Sequence, residues 1–198
     1  MNRAADVVIA GSALVLASPV LALAALAVKL EDGGPVLYRQ TRVGRNGVDF
    51  ELLKLRTMVV GAETMGAGLS VNRGDSRITR SGRLLRKLSL DELPQLWNVV
   101  RGEMSCIGPR PTLRYQVEQY DHRQRHRLDV KPGITGWAQI NGRASLPWAE
   151  RIELDLWYVR HRSWKTDLLI LLRTPLALFG GTYRGQSGGW TGGQPPRE

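Results

Sequence analysis

The longest apolar stretch comes first. Val7 to Val28 holds 22 residues without a charge, between Arg3 and Asp6 on one side and Lys29, Glu31 and Asp32 on the other. As a helix it is long enough to cross the hydrocarbon of a bilayer. Ser18-Pro19 falls at its middle. A proline there removes an amide and crowds the preceding turn, so the helix should bend. Three readings follow: a cleaved signal peptide, a spanning helix, or a re-entrant hairpin whose charged ends return to one membrane face. In the last, the backbone groups freed by Pro19 need partners, and Ser18 is at hand.

The period then shortens. Val36 to Arg42 and Val48 to Thr57 alternate as a strand pair around Gly44-Arg45-Asn46-Gly47, where Asn-Gly is a hairpin signal. Lys54 and Arg56 fall on one face of an extended segment, which suits either a solvated strand face or a phosphate contact. Gly61 to Asp75 has no period and reads as a mobile surface loop. Arg77 to Lys87 regains helical spacing, with Ile78, Leu84, Leu85 and Leu88 on an apolar side and a basic face opposite. Thr112 to Leu128 reads as a charged helix. Lys131 to Arg143 is punctuated by glycine, with Trp137 and Gln139 in an extended piece, as in a ligand-approaching loop or an ordinary hairpin. Trp148 to Arg162 reads as an amphipathic helix. The second apolar run, Asp167 to Phe179, is interrupted by Arg173 and Pro175 and suits the membrane interface better than a span. Gly180 to Glu198 reads as a disordered tail.

Charge narrows the classes. A formal net charge of +10 implies an anionic partner: nucleic acid, an anionic membrane surface, or phosphorylated substrates. The single cysteine, Cys106, excludes an intrachain disulfide and reads as a small buried residue. His122 and His126 have a metal-ligand spacing, but no third ligand is evident and Arg123, Arg125 and Arg127 oppose a cation.

The stretch with the most chemistry is R-K-L-S-L-D-E-L-P-Q-L-W-N, from Arg86 to Asn98. Asp91 and Glu92 sit side by side in an apolar frame, with arginines upstream and Gly108-Pro109-Arg110-Pro111 downstream. One carboxylate can attack or hold a metal while arginines neutralise phosphoryl oxygens. Ser89-x-x-Glu92 also fits a capping box, which would make Glu92 a structural residue, although Pro94 argues for a later helix start. Neighbouring helical residues face different ways, so one carboxylate should face a ligand and the other support it. Two prolines around Arg110 restrict its backbone and present one guanidinium with little entropy to lose.

In order and spacing these pieces resemble the bacterial sugar transferase family, the monotopic polyprenyl-phosphate phosphoglycosyl transferases. The pieces are Ser18-Pro19, K-L-R-T-M from Lys54, R-I-T-R-S-G-R-L-L-R-K-L-S-L-D-E-L-P-Q-L-W-N-V from Arg77, G-E-M-S-C-I-G-P-R-P from Gly102, and P-G-I-T-G-W-A-Q-I-N-G-R from Pro132. The resemblance implies transfer of a sugar-1-phosphate from a nucleoside-diphosphate sugar, usually a UDP-sugar, to undecaprenyl phosphate. Asp91 would be the nucleophile, UMP the leaving group, and Mg²⁺ the cofactor on Asp91 with Glu92 in support. Arg86 and Arg110 are the leading phosphate-binding candidates, with Lys54, Arg143 and Asp155 behind them. The resemblance also favours the re-entrant form of the first run, broken at Ser18 and Pro19, with the catalytic part on the cytoplasmic face of the inner membrane.

The expected fold is therefore α+β and mostly helical, with an N-terminal re-entrant membrane helix, a small β-hairpin and amphipathic interfacial helices. Residues 1–30 form the membrane segment, 31–179 the catalytic domain and 180–198 the tail, as in a minimal catalytic unit. An oligomer is compatible with this reading. The competing function is a membrane-tethered basic module for nucleic acid or anionic lipid. Such a module has no need of an Asp-Glu pair, so nucleic acid is not an expected partner.

Overall fold

The computed structural model describes residues 1–65, 74–142 and 146–179. The chain is mostly helical, as expected. Helix α1 (Arg3–Asp32) leads into the hairpin of β1 (Leu37–Val43) and β2 (Asp49–Leu55), paired from Leu37↔Leu55 to Val43↔Asp49. Asn46 and Gly47 take the positive φ angles, 57° and 78°, that the tight reversal needs. Helices α2 (Arg80–Lys87) and α3 (Gln95–Arg101) follow, with a 3₁₀ turn, Leu90–Glu92, between them.

Short elements complete the body: β3 (Ser105–Ile107), α4 (Arg114–Glu118), α5 (His122–Arg125), β4 (Gly133–Thr135) and α6 (Trp137–Ile140). Two longer helices, α7 (Trp148–Arg160) and α8 (Trp164–Phe179), close the described chain. Strand β3 pairs with β4 in parallel, Ser105↔Gly133 and Ile107↔Thr135.

Helix α1 continues through Pro19 as one element. Proline at 19 leaves the Val15 carbonyl without its usual amide donor, and the Ser18 hydroxyl donates to that carbonyl at 2.7 Å. Both ends of α1 dock on the same body. At the start, Arg3 donates to the Val99 and Val100 carbonyls, both at 2.5 Å. Buried Asp6 accepts from the Ser105 hydroxyl (2.9 Å) and the Cys106 amide (2.8 Å). At the far end, Glu31 accepts from the Arg80 and Ser81 amides, and Asp32 pairs with Arg56 at 2.5 Å. Between them Val15, Leu16, Leu23 and Leu26 are exposed.

Three apolar clusters hold these pieces. Ala10, Phe50, Leu52, Val99, Met104, Ile107, Tyr158 and Ile170 join α1 to β2, α3, β3, α7 and α8. Ala24, Val28, Leu55 and Leu85 join the second half of α1 to β2 and α2. Val43, Val117, Tyr120, Ile152 and Leu156 join the end of β1 to α4 and α7. Trp157, Trp164, Leu168, Leu172 and Leu176 remain exposed on α7 and α8.

Two elements differ from expectation. The charged segment Thr112 to Leu128 is not one helix but α4, α5 and a 3₁₀ turn at His126–Leu128, because Asp121 caps a new helix through the Gln124 amide at 2.7 Å. Trp137 and Gln139 lie in α6 rather than in an extended piece, since the strand before them ends at Thr135. Part of the Gly61–Asp75 segment and the whole tail from Gly180 lie outside the described residues, as does Arg143.

Candidate active site

The site is assembled where β2, the 3₁₀ turn at Leu90–Glu92 and the Pro109-Arg110-Pro111 loop meet. Three local devices position it. Helix α2 lies so close to the end of β2 that a Cβ on Gly82 would stand 2.1 Å from the Thr57 carbonyl oxygen. One turn later on the same face, Arg86 donates from Nε to the Thr57 hydroxyl at 2.7 Å. The chain then reverses at Ser89, which adopts φ 56° where glycine is the usual choice. Fully buried Asn98 ties α3 to the strand, accepting from the Leu53 amide (3.1 Å) and donating to the Glu51 carbonyl (2.7 Å).

The arginine loop is fixed by backbone. The Gly108 amide donates to the Thr135 carbonyl and the Gly133 amide to the Pro109 carbonyl, each at 2.9 Å. A Cβ on Gly108 would lie 2.3 Å from the Lys131 oxygen, and one on Gly133 2.0 Å from the Gly108 nitrogen, so neither position admits a side chain. Beneath the loop, Arg127 reaches the Arg110 carbonyl (2.6 Å), the Tyr120 hydroxyl (2.7 Å) and Asp155 (2.7 Å). Asp155, expected among the substrate-binding residues, is instead 1% exposed and paired with Arg127. It braces Arg110 from behind. Breaking such a buried pair by removing one partner typically costs about 3–5 kcal/mol.

The two carboxylates of the pair have separate environments. Glu92 accepts from Lys54 at 3.1 Å and from both terminal nitrogens of Arg110. Burial alone would raise its pKa, but the charges and hydrogen bonds of Arg110 and Lys54 outweigh that and hold it well below the usual carboxylate range. Lys54 is pushed the other way, its pKa lowered by burial against the pull of Glu92. Asp91 is 8% exposed, and its buried Oδ1 has no hydrogen-bond partner among the described residues. Burial and the neighbouring charge of Glu92 raise its pKa, while Lys54, Arg86 and Arg110 pull it down.

The capping-box reading of Glu92 therefore fails. Ser89 makes no side-chain cap, and α3 starts after Pro94, as the proline required. Of the candidates, Lys54, Glu92 and Arg110 are in direct contact, and Asp91 and Arg86 lie within electrostatic reach of them or of each other. Arg56, placed with Lys54 on one strand face by the sequence pattern, lies just past the end of β2, is 7% exposed and is bound to Asp32. Ser18 and Pro19 belong to α1, outside this cluster.

A hard divalent cation fits Asp91 better than Glu92. The Asp91 oxygen is unpartnered, while Glu92 is already satisfied by two cations. No group of three or more His, Cys, Asp or Glu side chains suits a metal among the described residues, so most ligands of such an ion would come from substrate oxygens and water, the habit of Mg²⁺.

A carboxylate left without a donor, next to one locked between two cations, suits transfer of a group between anions. The class defined here is a transferase. More particularly, the chain belongs to the bacterial sugar transferase family, whose model matches residues 1–181. It is 46% identical to a UDP-glucose:undecaprenyl-phosphate glucose-1-phosphate transferase of Caulobacter vibrioides, over 90% of this chain and 69% of that one. An uncharacterized sugar transferase of Bacillus subtilis, EpsL, is 44% identical over 88% of this chain and 85% of its own length. The exopolysaccharide production protein ExoY of Rhizobium meliloti is 41% identical, covering 92% and 88% respectively.

Proposed function

We propose that this chain transfers a sugar-1-phosphate from a nucleoside-diphosphate sugar, a UDP-sugar by preference, to undecaprenyl phosphate, beginning assembly of a bacterial surface glycan. The observation that carries the reading is the asymmetry of the acidic pair: Asp91 with an unpartnered oxygen, Glu92 held by Lys54 and Arg110. The names of the relatives support the reaction class.

Donor and acceptor are both anions, so direct attack brings like charges together. A covalent relay divides that encounter into two. In the first step an Asp91 oxygen bonds to the sugar-bearing β-phosphorus and the bond from that phosphorus to the bridging oxygen breaks. UMP leaves with the electron pair, and the phosphosugar remains on the carboxylate. In the second step a phosphate oxygen of undecaprenyl phosphate bonds to the same phosphorus, and Asp91 leaves as a carboxylate. Glu92 holds Lys54 and Arg110 in place, and Arg110 and Arg86 receive phosphoryl oxygens. Mg²⁺, when bound at Asp91, would neutralise diphosphate charge.

The docking of both α1 ends on one body supports a re-entrant course, with the exposed leucines in lipid and the body on the cytoplasmic face. The reaction is tested by supplying UDP-sugars and undecaprenyl phosphate and following UMP. Wild-type protein should release UMP, lose that activity in EDTA and regain it with Mg²⁺, while Asp91→Asn should fall by at least about 10³-fold. Unchanged turnover in Asp91→Asn would remove Asp91 from the nucleophile's role.

A further inference from the structure

Near the acidic pair lies an arginine that the reading above does not use. Alternation along β1 puts Tyr38, Gln40 and Arg42 on one face, and the register Tyr38↔Lys54, Gln40↔Leu52, Arg42↔Phe50 makes it the face from which Lys54 reaches Glu92. Arg42 donates from Nε (3.0 Å) and a terminal nitrogen (2.5 Å) to the Gln40 side-chain oxygen, and from its other terminal nitrogen to the Pro111 carbonyl at 3.3 Å. Both acceptors are neutral. These bonds fix the guanidinium beside the arginine loop and use three of its five N–H groups.

No carboxylate is in ion-pair range of Arg42 among the described residues, nor of Arg86, whose side chain donates there to the Thr57 hydroxyl. Tyr38, whose hydroxyl bonds Glu63, lies within electrostatic reach of both guanidiniums. Lys54 and Arg110 are matched by Glu92; Arg42 and Arg86 are not. Two partly buried guanidiniums with no carboxylate in ion-pair range among the described residues, beside a site already lined by cations, are placed to take an anion from solution.

We propose that Arg42 is a substrate-binding residue that, with Arg86, forms a phosphate subsite on the Lys54 face of the hairpin, taking a phosphoryl group of one of the two substrates. Burial and the charge of Arg110 lower the Arg42 pKa to about 10, against the pull of Tyr38, Tyr115 and Glu92. The inference rests on the proposed reaction only in treating the ligands as phosphorylated anions. Two sources supply that chemistry: the diphosphate of a nucleotide donor and the monophosphate of a lipid acceptor.

The test is calorimetric titration of the full chain in detergent with UDP, as the donor probe, and separately with decyl phosphate, as the acceptor probe. Arg42→Gln should weaken one of them by about 10–100-fold, the worth of a charge-assisted hydrogen bond, and the probe affected identifies the source. Arg42→Lys, which keeps the charge without the fork, should fall between. If Arg42→Gln does not fold, Arg42→Lys decides. Unchanged affinity of a folded variant for both probes overturns the proposal, as does wild-type protein that binds neither. UMP release by wild-type protein with no effect of Arg42 on binding sinks the subsite alone. Arg42-dependent binding without any UMP release sinks the reaction alone.

Discussion

Asp91 works against the stability of the fold. It is buried beside a like charge, with one oxygen unpartnered, and both burial and Glu92 raise its pKa. A folded-state pKa above the unfolded value means that the folded protein binds this proton more readily. The penalty of ionised Asp91 is therefore fully present at neutral pH and is relieved as pH falls through the folded value. Asp91→Asn should raise Tm at pH 7, by roughly 2–4 °C for each kcal/mol relieved, and the gain should shrink on acidification. Thermal unfolding of both proteins across pH checks this; a variant that melts lower at pH 7 would contradict it. The same sign moves the acid limb of activity upward from that of an unperturbed aspartate, because the attacking form is the ionised one. Glu92 behaves oppositely: its pKa is lowered, so its ion pairs stabilise the fold above the unfolded carboxylate value and are lost as pH falls. The pair stood out in sequence as two adjacent acids among arginines, although the pattern alone fitted a capping box as well. Which acid is held and which is free was not legible there, because Lys54 lies 38 positions from Glu92 and Arg110 18.

Among the elements, α1 was the plainest in sequence and the least determined. Length, apolarity and Ser18-Pro19 were all readable. The repair of the Val15 carbonyl by Ser18 follows from proline chemistry alone. The docking of the helix rests on single charged residues, Arg3, Asp6, Glu31 and Asp32, whose partners are far along the chain, and no local pattern marks such pairs. The re-entrant course is checked with membrane-impermeant maleimide on Ala4→Cys and Glu63→Cys, each in a Cys106→Ala background. Both sites should label in inside-out vesicles and neither in right-side-out ones. Label on Ala4→Cys from the opposite face would make α1 a span. Short elements misled more than long ones. The three-residue strand Gly133–Thr135 was stretched in sequence to include Trp137 and Gln139, because glycine spacing does not show where a strand yields to a helix. Asp155 was taken for a substrate contact; its burial under Arg127 makes it part of the support for the loop that carries Arg110.

For the whole molecule, the net charge of +10 gains its meaning from position. Some of the cations are structural and add nothing to that excess: Arg56, Arg77 and Arg127 are buried in ion pairs with Asp32, Asp75 and Asp155. At the acidic pair Arg42 and Arg86 have no carboxylate in ion-pair range among the described residues, and under the proposed reaction that local surplus would favour a phosphorylated anion. The family was legible from the order and spacing of its motifs; the structure adds that K-L-R-T-M, the Asp-Glu stretch, G-P-R-P and P-G-I-T-G pack around a single cluster, joined by Gly82, Gly108 and Gly133, where only a missing Cβ permits the contact. The central claim is that Asp91 carries the sugar phosphate between donor and lipid. Its most direct test is mass spectrometry of the peptide containing Asp91 after the protein meets a UDP-sugar and Mg²⁺ without any polyprenyl phosphate. The account predicts a phosphosugar adduct on Asp91 that disappears when undecaprenyl phosphate is added; an unmodified peptide from protein that still turns over both substrates would contradict it.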